Sequence, residues 1–393
     1  MLSTHPLASD VDALRTRLEG AVVLPARTPG TRPAGPGTWP STSVARVEAG
    51  ALWLDVTGPA YEAGLAPLAG SSPDVGVVGY TLGGGLSWLG RRYGLACNRL
   101  IVAELVTAEG QLVRASRHEH ADLFWALRGG GGSFGAVVAI EFELLPVREV
   151  YAGTLLFPWE RAREVMHAWR EWTATVPDSV TTSADHAVPA DARAPRLPAR
   201  PRPRGRRRRD RRGRRARCGA AGPAAGARAG DGHFASIAPV GLSHIHMDPE
   251  EPVPAVSDSA LLDGLTAETI DALVDATGPA SGSPLLLVEL RHLGGALGRY
   301  AGGALSRVDG EYLYFAVGIP IDPSVAAALE AHFAIAGAAV ASQASGRHYL
   351  NFAERPTDPA SFYGEETYAR LRRVRARVDP LELFRGNHEI AAA

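Results

Sequence analysis

Residues 122–135 read Asp122-Leu-Phe-Trp-Ala-Leu-Arg-Gly-Gly-Gly-Gly-Ser-Phe-Gly135, and the chain continues Ala136-Val-Val-Ala-Ile-Glu-Phe-Glu-Leu144. The first part carries apolar residues at helical spacing, the middle is four glycines in a row, and the last part alternates as a strand does. Embedded in it is Gly130-x-Gly132-x-x-Gly135, the spacing of a dinucleotide fingerprint. That fingerprint requires strand, turn, then helix, because the pyrophosphate sits on the helix N-terminus. Here the order is helix, turn, strand, so the positive helix end points the wrong way. The glycines predict instead a loop whose backbone lies close against something flat or bulky.

Outward from this block the pattern predicts an α+β chain. Upstream, Val22–Leu24 reads as a strand after a capped helix at residues 9–20, and 25–43 is crowded with Pro, Gly and Thr without periodicity. A strand at Ala45–Gly50, a helix over Trp53–Ala63 and a β-hairpin over 100–114 with its turn at Glu109-Gly110 follow. From Tyr151 the texture changes, with a strand to Phe157 and an amphipathic helix to Trp172. Strands at Leu285–Leu290 and Tyr312–Val317 come later, with helices at Ser324–Val340 and Glu365–Val378.

The chain has 393 residues, 46% hydrophobic and 21% charged, which suits one large or two ordinary globular domains. All 41 basic residues are arginine, and 44 glycines and 29 prolines accompany them, as a GC-rich gene would write. Cys97 and Cys218 cannot build a disulfide framework and have no zinc-ligand spacing beside them. No apolar run of ~18 residues and no signal-peptide pattern is read, so the expected location is the cytoplasm, away from membranes. Residues 193–217 hold fourteen arginines against Asp210 alone, leaving 27 arginines and 41 acidic residues elsewhere. An acidic body thus contains one intensely basic insert.

Three blocks stand out. The first is Ala69-Gly-Ser-Ser-Pro-Asp-Val-Gly76-Val-Val-Gly79-Tyr-Thr-Leu-Gly83-Gly84-Gly85 through Gly94, the second runs from Asp122 to Val147. The third is Arg347-His-Tyr349-Leu-Asn351-Phe352 with Tyr363-Gly, Asp379-Pro380 and Phe384-Arg. In order and spacing they resemble the FAD-linked oxidases of the berberine-bridge-enzyme-like branch of the vanillyl-alcohol-oxidase superfamily. The resemblance implies a PCMH-type FAD-binding domain over 1–147, incomplete at about 25–43, and an antiparallel-sheet substrate domain with helices over 148–340. Residues 341–393 would form a berberine-bridge-like segment returning to the FAD domain.

The same resemblance implies FAD as cofactor, lined by Gly76, Gly79, Gly83, Gly84, Gly85, Asn98, Gly132, Ser133, Gly135, Val137 and Asn351. Glycines suit this task because a planar cofactor needs backbone approach that a β-carbon blocks. It implies hydride transfer from the C–H bond of an alcohol or amine to flavin N5, with dioxygen as the reoxidant. Tyr349, taken as two residues before Asn351 on one strand face beside Arg347, is the candidate catalytic base.

The chain departs from that family at both covalent FAD attachment points. The cysteine position is Ser72, and 20–44 contains neither a histidine nor a Gly-Gly pair, so FAD is expected to be held non-covalently. Residues 193–232 replace the expected strand-and-helix text with Arg, Pro, Ala and Gly, from which no core is expected. A compensated frameshift there, and a deletion or frame error near 26–43, would account for both. The alternative reading is therefore an inactive or FAD-deficient relative.

Other constellations point less far. The arginine run has no interleaved aromatics or DNA-binding motif, so no specific nucleic-acid partner is expected. His118-Glu-His120 reads as solvated loop, and His244-Ile-His246 with Asp248 as a structural or substrate-lining segment, so no metal is expected. Glu289 and Arg291 share a strand face and either face the flavin cavity or form a structural ion pair.

Overall fold

The computed structural model describes residues 22–23, 43–187, 215–219, 231–246, 248 and 253–393. The reading of 9–20 as a helix, most of 25–43 and most of the arginine run lie outside these residues. Two antiparallel sheets organise the rest. The first contains β1 (Val22–Val23), β2 (Val44–Glu48), β3 (Leu100–Val106), β4 (Leu112–Ser116) and β5 (Ala136–Glu143), in the order β1-β2-β5-β3-β4. Helices α1 (Trp53–Glu62), α2 (Val77–Leu82) and α3 (Ala121–Leu127) cover it. Alternation in β2 buries Ala45 and Val47, and these join Trp53, Val56, Leu127 and Ile140 in the first core.

The second sheet holds β6 (Val150–Pro158), β7 (Ser183–Ala187), β8 (Arg215–Gly219), β9 (Asp231–Ile237), β10 (Val256–Leu262), β11 (Leu287–His292) and β12 (Tyr312–Gly318). Its order is β10-β12-β11-β7-β8-β6-β9. Helices α4 (Ala162–Thr173), α5 (Ala267–Thr277) and α6 (Pro323–Val340) back it. Their face of the sheet is apolar: Ala184, Val288, Leu290, Tyr314 and Ala316 pack with Trp169, Leu273 and Phe333 in the second core. On the opposite face, cross-strand pairing sets Phe315 opposite Glu289, and Glu289 opposite Asp185. A sheet with one apolar and one polar face has its second side free to line a site.

Two findings add to the sequence expectations. Part of the 193–232 segment does enter the architecture, since Arg215–Gly219 pairs with both β6 and β7, and Asp231–Ile237 pairs with β6. Backbone ladder bonds accept almost any side chain, so composition alone did not exclude a strand there. An apolar stretch long enough to cross a membrane by length and composition is also present, at Pro323–Gln343. Its buried residues Leu329, Phe333, Ala336 and Val340 recur at helical spacing and pack into the second core.

The C-terminal segment returns to the first sheet. Helix α7 (Glu365–Val378) contributes Leu371 and Val374 to the first core, and Ile390 joins them. A third core lies at the junction of the two sheets, where Leu86, Leu95 and Cys97 meet Leu293, Leu305, Leu313 and Tyr349.

Candidate functional site

The glycine block forms as helix, turn, strand. Helix α3 ends at Leu127, Gly129 and Gly131 adopt φ of 98° and 74°, and β5 begins at Ala136. Positive φ is the conformation that glycine alone adopts without strain. The Gly131 amide donates to the Leu82 carbonyl at 3.0 Å, which sets this loop beside the end of α2 and the second glycine run. Between them and the C-terminal segment opens a cleft of 660 Å³. Its walls are Gly79, Leu82, Gly83 and Gly130 to Gly132 on one side, and Leu350, Asn351, Phe352, Glu354 and Gly386 to His388 on another. Ser257 of β10 and Phe315 of β12 close it from the second sheet.

Four of the residues expected at the cofactor thus line one cleft: Gly79, Gly83, Gly132 and Asn351. The geometry around the glycines separates two uses. A β-carbon at Gly76, Gly79 or Gly132 would meet no protein atom within 4 Å, so no protein contact accounts for these glycines. At Gly84 a β-carbon would press on Leu305 and the Tyr349 hydroxyl, at Gly85 on Ala96 and Tyr80, and at Gly135 on Leu105 and the Val106 carbonyl. Those three serve close packing within the protein and lie outside the cleft walls.

The remaining expected residues sit nearby with protein partners of their own. Asn98 Nδ2 donates to the carbonyls of Leu305 and Ser306, both at 3.2 Å, and its Oδ1 accepts from Arg128 at 3.2 Å. Ser133 is buried and its carbonyl accepts from Arg375 at 2.6 Å. Val137 pairs with Leu105 across the first sheet. Asn351 Nδ2 donates to the Tyr80 carbonyl at 2.9 Å, which joins the C-terminal segment to α2 at the cleft edge.

Tyr349 is not on a strand: it precedes the short 3₁₀ turn Leu350–Phe352. A three-residue turn has no periodicity to read, and contacts fix it, including the Phe352 ring 5.9 Å from Tyr349. The Tyr349 side chain is 2% exposed and its hydroxyl makes no hydrogen bond of normal geometry. Burial pushes its pKa well above 10, with Tyr80 and Cys97 adding to the rise, while Arg291 and the Gly85 amide pull the other way. The hydroxyl of half-buried Tyr80 is likewise buried and unpartnered, and burial raises its pKa. Neither hydroxyl reaches the cleft, whose own fitness for a planar ligand lies in its glycine walls, with open β-carbon positions at Gly79 and Gly132. The residues present therefore fit a flavin.

A largely buried polar network, whose members the sequence offered only as separate pieces, runs beneath this region. Glu289, 0% exposed, takes Nε and Nη2 of Arg291 at 3.0 and 3.1 Å. His246 Nε2 lies 3.5 Å from Glu289, its Nδ1 lies 2.5 Å from Asp248, and Asp248 accepts from the Ser72 hydroxyl. The Arg291 guanidinium lies 5.0 Å from the centre of the Trp88 ring and 5.5 Å from that of Phe352. Of the two readings open for Glu289 and Arg291, the ion pair is the one found. Burial disfavours charge on His246, but Glu289 and Asp248 outweigh it and raise its pKa to about 10. Burial likewise opposes the Glu289 carboxylate, and Arg291 and His246 outweigh it, lowering its pKa.

Comparison with known proteins falls on the same walls. Residues 39–116 match the family model described as FAD binding domain, and 348–391 match that described as berberine and berberine like. The chain is 35% identical over 147 residues to an uncharacterized FAD-linked oxidoreductase, YgaK, of Bacillus subtilis, covering 36% of this chain and 33% of that protein. It is 36% identical over 149 residues to (R)-6-hydroxynicotine oxidase of Paenarthrobacter nicotinovorans, covering 38% and 31%. The matches thus span about a third of the length of these curated relatives. Among solved structures, a variant of Physcomitrella patens BBE-like 1 superposes with a TM-score of 0.74 at 19% identity, over 89% of this chain and 78% of that one. The fold is that of a PCMH-type FAD-binding domain joined to an antiparallel-sheet domain. The segments similar to the FAD binding domain and to the berberine and berberine like family thus form opposite walls of one glycine-lined cleft.

Proposed function

We propose that this chain is an FAD-dependent oxidase acting on the C–H bond of a small alcohol or amine, with FAD held non-covalently in the 660 Å³ cleft. The observation that carries this is the set of glycines with empty β-carbon positions, Gly79 and Gly132, on the walls of that cleft. FAD, when bound, supplies the hydride acceptor and passes the electrons to dioxygen. The relatives named for oxidation of 6-hydroxynicotine and the FAD-linked oxidoreductase YgaK support the reaction class.

The chain's own part is to bind, to orient and to move one proton. Gly79, Gly83 and Gly130 to Gly132 give close backbone approach, and Asn351 closes the edge against the Tyr80 carbonyl. Tyr349 holds the proton-accepting oxygen. In the protein without substrate its hydroxyl stays neutral, and Arg291 is the nearby charge favouring ionisation. Ser257 and Glu354 on the cleft walls fit a substrate of polar character. Ser72 carries an oxygen where a thioether needs sulfur, and that supports a non-covalent flavin.

Purification and colour test this directly. The full-length protein, supplemented with FAD and desalted, is expected to be yellow, to release all its flavin on acid precipitation, and to produce hydrogen peroxide from an alcohol or amine panel. Colourless protein that takes up no FAD would instead establish the FAD-deficient relative.

A further inference from the structure

A second cavity, of 280 Å³, opens between the segment that follows the glycine run and the start of β6, and it shares no wall residue with the cleft. The first segment supplies Trp88, Arg92 and Tyr93, the second Glu149 and Tyr151. Trp88 is buried, and the Arg291 guanidinium lies 5.0 Å from its ring centre. The same guanidinium lies 5.5 Å from the ring of Phe352, which walls the cleft, so one charged group stands between the two spaces. Tyr151 is 60% exposed, although its ring meets Phe234 at 5.6 Å. Three aromatic side chains thus offer stacking surface to a planar group.

Two charges on these walls have no ionic partner among the described residues. Arg92 is exposed, and its guanidinium lies 5.1 Å from the centre of the Tyr93 ring. The neighbouring arginines are committed elsewhere: Arg99 meets Glu143 at 2.9 Å, and Arg91 donates to the Leu293 carbonyl. Glu149 accepts the Ser236 hydroxyl at 2.8 Å, which directs its carboxylate without neutralising it. Arg92 and Glu149 form no ion pair with each other. A lone surface charge gains little from pairing, so one such group would carry no meaning. Opposite charges left unpaired on one aromatic-walled cavity form a dipolar pattern, which a ligand of reversed dipole complements. The volume is at the small end of ligand pockets, about 300–1,000 Å³, and suits one ring with a short polar chain.

We propose that this cavity is a second ligand site, for a small aromatic compound carrying both a carboxylate and an ammonium group, the chemistry of an aromatic amino acid. The carboxylate meets Arg92, whose planar fork matches it in two places. The ammonium meets Glu149, and the ring stacks among Trp88, Tyr93 and Tyr151. Nothing in this site depends on the flavin reading of the cleft.

The test is titration of the full-length protein, as purified, with L-phenylalanine, 3-phenylpropionate and phenethylamine, followed by tryptophan fluorescence. L-Phenylalanine is expected to bind with a Kd of about 0.1–1 mM, the range open to a ligand of about a dozen heavy atoms. The other two probes each lack one charge and are expected to bind about tenfold more weakly. Arg92→Gln should remove the advantage of L-phenylalanine over phenethylamine, and Glu149→Gln its advantage over 3-phenylpropionate. Both side chains are exposed, so melting temperatures should stay at the wild-type value. Tyr151→Ala should weaken all three probes alike. Failure of L-phenylalanine to bind at ~10 mM, well above the expected Kd, overturns the proposal. So does 3-phenylpropionate or phenethylamine binding as tightly as L-phenylalanine, or an unchanged order of preference in both charge variants.

Discussion

Asn351 and Gly83 face each other so closely that no side chain fits between them. A β-carbon on Gly83 would collide with Asn351 Oδ1, while Asn351 Nδ2 is already committed to the Tyr80 carbonyl at 2.9 Å. Gly83→Ala is therefore expected to displace Asn351 and to cost about 1–3 kcal/mol, as overpacking does. Gly132→Ala is the informative partner, with no protein atom within 4 Å of the added carbon. It is expected to leave FAD-free stability within about 0.5 kcal/mol of wild type, yet to weaken FAD about tenfold or more by closing backbone approach. Thermal melts beside FAD titrations separate the two effects. Wild-type FAD affinity in Gly132→Ala would remove Gly132 from the cofactor wall.

That contrast also marks what the sequence could disclose. The block from Asp122 to Leu144 was legible because helix and strand periods differ and four glycines divide them, and α3 and β5 form on either side. The hairpin about Glu109-Gly110 was legible for the same local reason. Asn98 was not: its amide serves Leu305 and Ser306, some two hundred residues away. Ser72, Asp248, His246 and Glu289 come from three distant segments, so their network exists only after the two sheets meet. Tyr349 was read on the wrong element, because a three-residue turn leaves no repeating pattern.

Removing one member of that network tests how it is balanced. Glu289→Ala strands Arg291, which is 4% exposed and gives Glu289 two of its donors. An uncompensated buried charge of this kind costs about 3–5 kcal/mol. Chemical denaturation is expected to show a loss of that order. Replacement of both members by apolar residues of similar volume should recover much of it, and a Glu289→Ala protein as stable as wild type would show the pair to be dispensable.

Stability should depend on pH through the same groups. His246 has its pKa raised from 6.5 to about 10, so its contribution is complete below pH 6.5 and is lost as pH rises from there through 10. Glu289 has its pKa lowered from 4.5, so its contribution is present above pH 4.5 and is lost on acidification below it. The melting temperature is expected to plateau between these limits and to decline towards pH 10. His246→Gln should lie lower at neutral pH and show a flatter alkaline limb. An alkaline slope identical in both proteins would assign that limb to other groups.

Tyr349→Phe makes the sharpest test of the proposed chemistry. The hydroxyl has no hydrogen bond of normal geometry, so its removal leaves no partner unsatisfied. Stability of the FAD-free protein is expected to be unchanged or higher by about 1 kcal/mol. The FAD Kd should stay near wild type, because Tyr349 does not line the cleft walls. Flavin reduction by substrate, followed anaerobically in stopped flow, should slow about 10²- to 10⁴-fold if the tyrosine takes the proton. Burial holds its pKa well above 10, so wild-type reduction should accelerate with rising pH and the variant should not. Equal reduction rates and parallel pH profiles would move the base to another residue while leaving the flavin site intact.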